Sequence, residues 1–124
     1  MDKDYFDRIE KMMRSGNAAH VYLYKNQRRA EYWVDGTPEA IAGFLGNHPE
    51  ADEIIITDTL DQIILNTFGN LIDRCCDASL LEDITKILIP IQMGKAKAPA
   101  IFAPTLEEVE RFYNQTASFD MQML

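Results

Sequence analysis

The chain has 124 residues, 47% of them apolar and 26% charged, enough for one domain with its own core. Its formal net charge of −8 argues against a sequence-independent phosphate-backbone binder, whose affinity comes from clustered Lys and Arg. No apolar run reaches the roughly 18–20 residues that a membrane helix needs, and the longest candidate, "ILIPIQM", contains a proline.

Residues 3–15 carry Tyr5, Phe6, Ile9, Met12 and Met13 at helical spacing, with Gly16 as the stop. "AHVYLYKNQRRAEYWVDG" follows as two alternating runs around Lys25-Asn26-Gln27-Arg28. It predicts a β-hairpin with strands at about 19–25 and 29–35. Thr37 is the expected N-cap of the next helix, with Pro38 in its first turn and Ile41, Phe44 and Leu45 as its buried stripe. "EADEIIITD" predicts a central strand, apolar on both faces through Ile54 to Ile56.

"TDTLDQIILNTFGNLIDRCCD" admits two readings, because Leu60, Ile64, Phe68, Leu71, Ile72 and Cys75 also fit a helical stripe. The β-rich "QIILNTFG" and the break at Gly69-Asn70 favour a second hairpin, 53–57 with 62–68, followed by a short helical turn through "NLIDRCC". A helix capped by Asp77 or Ser79 then runs to about Pro90. After a loop of small and basic residues, Thr105 and Glu108 form the capping box of a last helix. The expected architecture is α+β: a single small domain, residues 1–116, with an antiparallel sheet built from two hairpins and helices packed on it, in the order αββαββαα. Residues 117–124 are set apart as an apolar tail, whose Phe119, Met121, Met123 and Leu124 are expected to dock on their own domain or on a second copy.

The N-terminus lacks the apolar segment of a signal peptide. Cys75 and Cys76 are adjacent, a spacing that strains a disulfide, so both are expected as reduced, inward-packed thiols of a cytoplasmic protein.

Motifs for catalysis are scarce. There is no phosphate loop, no nucleophile elbow and no metal-ligand spacing, and no cofactor is expected. His48 with Asp58 and Asp61 is the one constellation that would suit a small metal-assisted enzyme or sensor. As ends of a turn, the two aspartates have a simpler role.

Binding has more support. No Lys or Arg occurs between Arg29 and Arg74, a span holding Glu31, Asp35, Glu50, Asp52, Glu53, Asp58 and Asp61. One-signed charge steers a partner of the opposite sign. Alternation on the first hairpin directs Val21, Leu23, Tyr32 and Val34 to the core and Tyr22, Tyr24 and Trp33 to the other face. Tyr and Trp beside carboxylates are typical anchors of a protein interface. The expected partner is therefore a protein with a basic surface, with no direct nucleic-acid contact.

"DGTPEAIAGFL", "FGNLIDRC" and "LIPIQMG" resemble strings in small accessory proteins of integrative mobile elements from Gram-positive gut bacteria, across about residues 30–95. The resemblance carries no functional residues. It implies a setting in which small acidic proteins include inhibitors of host defence nucleases, anti-CRISPR proteins among them, whose acids occupy grooves meant for nucleic acid. A self-associating structural protein is the third expectation.

Overall fold

The computed structural model describes the backbone of residues 3–122 and the side chains of residues 3–115. Its first hairpin joins β1 (Ala18–Lys25) to β2 (Arg28–Asp35) through Asn26 and Gln27 alone. Both have positive φ, 52° and 66°, the two-residue turn whose twist matches that of its strands. The turn fixes the register, pairing His20 with Trp33, Tyr22 with Glu31 and Tyr24 with Arg29.

β3 (Glu53–Thr57) lies on the other side of β1, then β4 (Ile63–Phe68) and β5 (Leu71–Cys75), giving an antiparallel five-stranded sheet in the order β2-β1-β3-β4-β5. The α+β class and the two expected hairpins are present, and β3 is central. Ile54 and Ile56 are buried on its inner side, and Ile55 is half-buried on the other.

β5 stands where the sequence predicts a helical turn. Gly69 (φ 58°) and Asn70 make a two-residue hairpin turn that returns Leu71 opposite Phe68. A register shift then lets Asn66 pair with Arg74 and Thr67 with Ile72, leaving Asp73 as the extra residue of a bulge. Ile72 and Cys75 therefore share the inner face at a spacing of three, which imitates a helix.

Helices α2 (Pro38–Asn47) and α3 (Ala78–Gln92) cover the inner face. The Thr37 hydroxyl accepts from Ala40 N–H, and the Asp77 carboxylate caps α3 by accepting from Ser79 N–H. The core joins Val21, Leu23, Val34, Ile54, Ile56 and Leu65 of the sheet to Ile41, Phe44 and Leu45 of α2 and Ile84 and Leu88 of α3. α3 passes Pro90, which only withholds a donor from the carbonyl one turn earlier, and ends at Gln92, where Ile89 O, Ile91 O and Pro90 O accept from the N–H groups of Met93, Gly94 and Lys95. Gly43 lets the returning segment press Ile101 and Pro99 against α2, where a Cβ would collide with the Ile101 side chain.

α1 (Lys3–Arg14) and α4 (Leu106–Gln122) meet beside β2. Ile9, Met12, Ala18 and Val109 are buried there, outside the main core. Tyr5 packs edge-on to Phe102 at 5.3 Å and Phe6 lies 6.0 Å from Phe112. Trp33 N–H donates to Pro104 O and Tyr32 bridges to Thr105, so residues 104–105 line the outer edge of β2. The α4 backbone is helical through most of the segment set apart as the tail. The tail's side chains, and with them its expected docking, lie outside the described residues. No helix among the described residues is long and apolar enough to cross a membrane.

Candidate functional site

Strand alternation gives the sheet a second face, away from α2 and α3. Across it run Trp33, Glu31 and Arg29 of β2, His20, Tyr22 and Tyr24 of β1, Ile55 and Glu53 of β3, and Asn66 and Phe68 of β4. As expected, Tyr22, Tyr24 and Trp33 lie opposite the core face carrying Val21, Leu23, Val34 and Tyr32.

His20 organises this face. Its ring stacks on Tyr22 at 4.4 Å and on Trp33 at 4.5 Å, with interplanar angles of 27° and 17°. Nε2 lies 3.0 Å from Glu31 Oε1, close enough to pair but out of line for a hydrogen bond. The His20 and Glu31 side chains keep 16% and 20% of their surface in water, which strengthens their mutual influence. Arg29 completes the row, 3.6 Å from Glu31 Oε2 and 5.8 Å from the Tyr22 ring centre. The Tyr22 phenol is held above its ordinary pKa by burial first, then by Asp61 and Glu31, with Arg29 opposing. Asp61 exerts its charge on this phenol from the β3–β4 turn. Trp33, His20 and Thr57 occupy one cross-strand row. In it Trp33 Nε1, His20 Nε2 and Thr57 Oγ1 are buried without a hydrogen-bond partner among the described residues.

The expected acidic surface divides. Asp35, Asp58 and Asp61 lie at the end of the sheet where β1 begins, while Glu50, Asp52 and Glu53 lie at the opposite end, beside the basic hairpin tip of Lys25 and Arg28. Several of these carboxylates already serve the fold. Asp58 Oδ1 accepts from Leu60 N–H and Gln62 N–H at 2.8 and 2.9 Å, bracing a turn in which Asp61 takes φ of 62°. Asp52 Oδ2 accepts from Asn26 N–H, and Glu53 Oε2 accepts from the Asn66 side-chain amide. Glu50 is exposed beside His48. Its pKa is lowered by its own backbone N–H, against a burial effect, and then by His48. Asp35 is exposed at the end of β2.

His48 is not brought to Asp58 and Asp61. It caps the end of α2, donating its N–H to Leu45 O at 3.2 Å, with its ring 4.4 Å from Phe44. The length of β3 separates it from the turn holding both aspartates. Among the described residues no three His, Cys, Asp or Glu side chains are grouped to hold a metal ion. The thiols part company: Cys75 is half-buried against the core, as expected, whereas Cys76 is exposed just past the end of β5. Partial burial, then Cys75 and Asp77, raise the Cys76 pKa, the opposite of an activated nucleophile.

Alternation along the strands places Tyr22, Tyr24 and Trp33 on this face but does not by itself give the partners of His20 and Arg29. Their signal lay in the register. A two-residue turn at Asn26-Gln27 already sets His20 opposite Trp33 and Tyr24 opposite Arg29. Comparison with protein-family models, with curated proteins and with solved structures finds no match.

Proposed function

We propose that this chain is a non-enzymatic protein-binding module that uses the second face of its sheet to engage a partner with a Lys- and Arg-rich surface. The observation that carries this reading is the Tyr22–His20–Trp33 stack set beside Glu31. Aromatic rings already fixed by packing lose little freedom on binding. A ring next to carboxylates suits a cationic side chain twice, through its π face and through charge. Tyr24 and Glu53, neighbours across β1 and β3, extend the same chemistry toward Phe68. The net charge of −8 adds long-range attraction for such a partner.

Surfaces of this kind occur on enzymes that hold nucleic acid. The reading accordingly includes inhibition by occupying such a groove in the cytoplasm, in keeping with the resemblance to mobile-element accessory proteins. The test is capture from bacterial lysate at low and high salt, with the native chain beside Tyr22→Ala and Glu31→Gln. One basic protein retained at low salt, released at high salt and lost with either substitution is the expected result. Recovery indifferent to salt and to both substitutions overturns the reading.

A further inference from the structure

β5 is an edge of the sheet: among the described residues it pairs with β4 and nothing else. The opposite edge, β2, is partly lined: Tyr32 and Trp33 bond residues 104–105, while no such cover is seen along β5 among the described residues. An open edge offers backbone donors and acceptors to another strand, and proteins commonly blunt it with charge or a bulge. Here the charges are Asp73 and Arg74, opposite in sign and 4.0 Å apart at the bulge.

We infer that the chain forms a twofold homodimer in which β5 of one copy pairs antiparallel with β5 of a second, joining two sheets into one. The register follows from the residues. Cys76 N–H donates inward to Ile64 O, so alternation turns the Cys75 N–H outward. Leu71 closes the hairpin against Phe68, which by the same rule turns Ile72 outward. Pairing Ile72 with Cys75 of the second copy satisfies these outward groups and keeps both side chains on the core face. The intervening positions then match Asp73 with Arg74 of the second copy, twice over, on the other face. An edge bearing two like charges would repel its own copy; this one attracts it.

Strand pairing alone is small beside the roughly 1,200–2,000 Å² of a stable interface. The rest comes from the groove under β5, about 460 Å³, lined by Leu71, Ile72, Leu81, Thr85, Ile89 and Gln92. Leu71 is 76% exposed and Ile89 48% exposed, so covering them removes apolar surface from water. The dimer axis stands perpendicular to the joined sheet. It leaves both Tyr22–His20–Trp33 stacks uncovered and on the same side, so the assembly does not depend on what the aromatic face binds.

Sedimentation equilibrium of the full chain, over about 1–100 µM, tests the association. The expected result is a dimer, weakened about tenfold or more by Arg74→Asp and by Asp73→Arg, each of which sets like charges opposite, and restored in the double variant that exchanges them. Both positions are exposed, and circular dichroism confirms that each variant folds. Leu71→Cys should also form an intermolecular disulfide with Cys76 of the second copy under mild oxidation. A monomer throughout the range overturns the inference. So does a dimer indifferent to both reversals, which would place the contact on the aromatic face or at the C-terminal segment.

Discussion

The carboxylate of Asp52 accepts the backbone N–H of Asn26 at 2.8 Å, tying the turn of the first hairpin to the start of β3. Asp52 N–H in turn donates to Tyr24 O at 2.9 Å, so one residue holds the first hairpin through both its side chain and its backbone. Asp52→Ala should cost about 1–2 kcal/mol, whereas Asp52→Asn, whose side-chain oxygen still accepts, should cost less than half of that. Urea unfolding of the two variants separates the hydrogen bond from the charge.

The same turn can be improved. Gln27 holds φ of 66°, a left-handed conformation that side chains resist and glycine adopts freely. Gln27→Gly makes the turn Asn-Gly, the sequence that best suits its geometry. A gain of about 0.5–1 kcal/mol is expected in the same urea experiment, and a loss would mean that the Gln27 side chain contributes to the fold.

Gly36 sits where the chain leaves β2, with its N–H donating to Asn17 O at 2.7 Å. A Cβ at this position would lie 2.6 Å from that carbonyl oxygen, a backbone atom with little freedom to retreat. Gly36→Ala should therefore destabilise by about 1–3 kcal/mol, the range for overpacking. Thermal unfolding measures it, and an unchanged Tm would show that the link between α1 and β1 gives way easily.

Tyr5 and Glu108 bind α1 to α4 and make that contact pH-dependent. Burial first, then the hydrogen bond and charge of Glu108, push the Tyr5 phenol up to about 12 from its ordinary 10.0. The unfolded chain loses this proton first on the alkaline side, so the stabilisation is whole below pH 10 and fades between 10 and about 12. Glu108 behaves in the opposite sense. Burial alone would raise its pKa, but hydrogen bonds from Tyr5 and Thr105 hold it below the usual value. Its contribution is present above that usual value and is lost as pH falls through the lowered one. Tyr5→Phe should flatten the alkaline part of the stability–pH curve relative to the native chain. Thr105→Ala, which removes the capping hydroxyl bonded to Glu108 N–H at 3.1 Å, should cost about 1 kcal/mol near neutrality.

Much of this architecture is legible in the residues. Alternation across Val21 to Tyr24 and Tyr32 to Val34 separates the two faces of the first hairpin, and Thr37, Asp77 and the Thr105–Glu108 pair mark helix starts where they occur. β5 escaped because its bulge at Asp73 replaces the period of two by a spacing of three, although Gly69-Asn70 between apolar residues is itself a hairpin signal. The acids misled in another way. Composition counts carboxylates but does not show that Asp52, Glu53 and Asp58 are engaged by neighbouring amides, nor that a strand's length divides the rest between two ends of the sheet. Asp61, far from Tyr22 in sequence, exerts its charge on that phenol from a turn that only the folded chain closes.

The two cysteines make a gauge of edge-strand fraying. Cys75 is half-buried against the core and Cys76 stands exposed just beyond the strand, one peptide bond apart. A thiol reagent meets Cys76 directly, at a pace slowed by its raised pKa, but reaches Cys75 readily only when β5 peels away from β4. The ratio of the two labelling rates thus times the opening of the last hairpin against a neighbour that needs no opening, without any foreign probe.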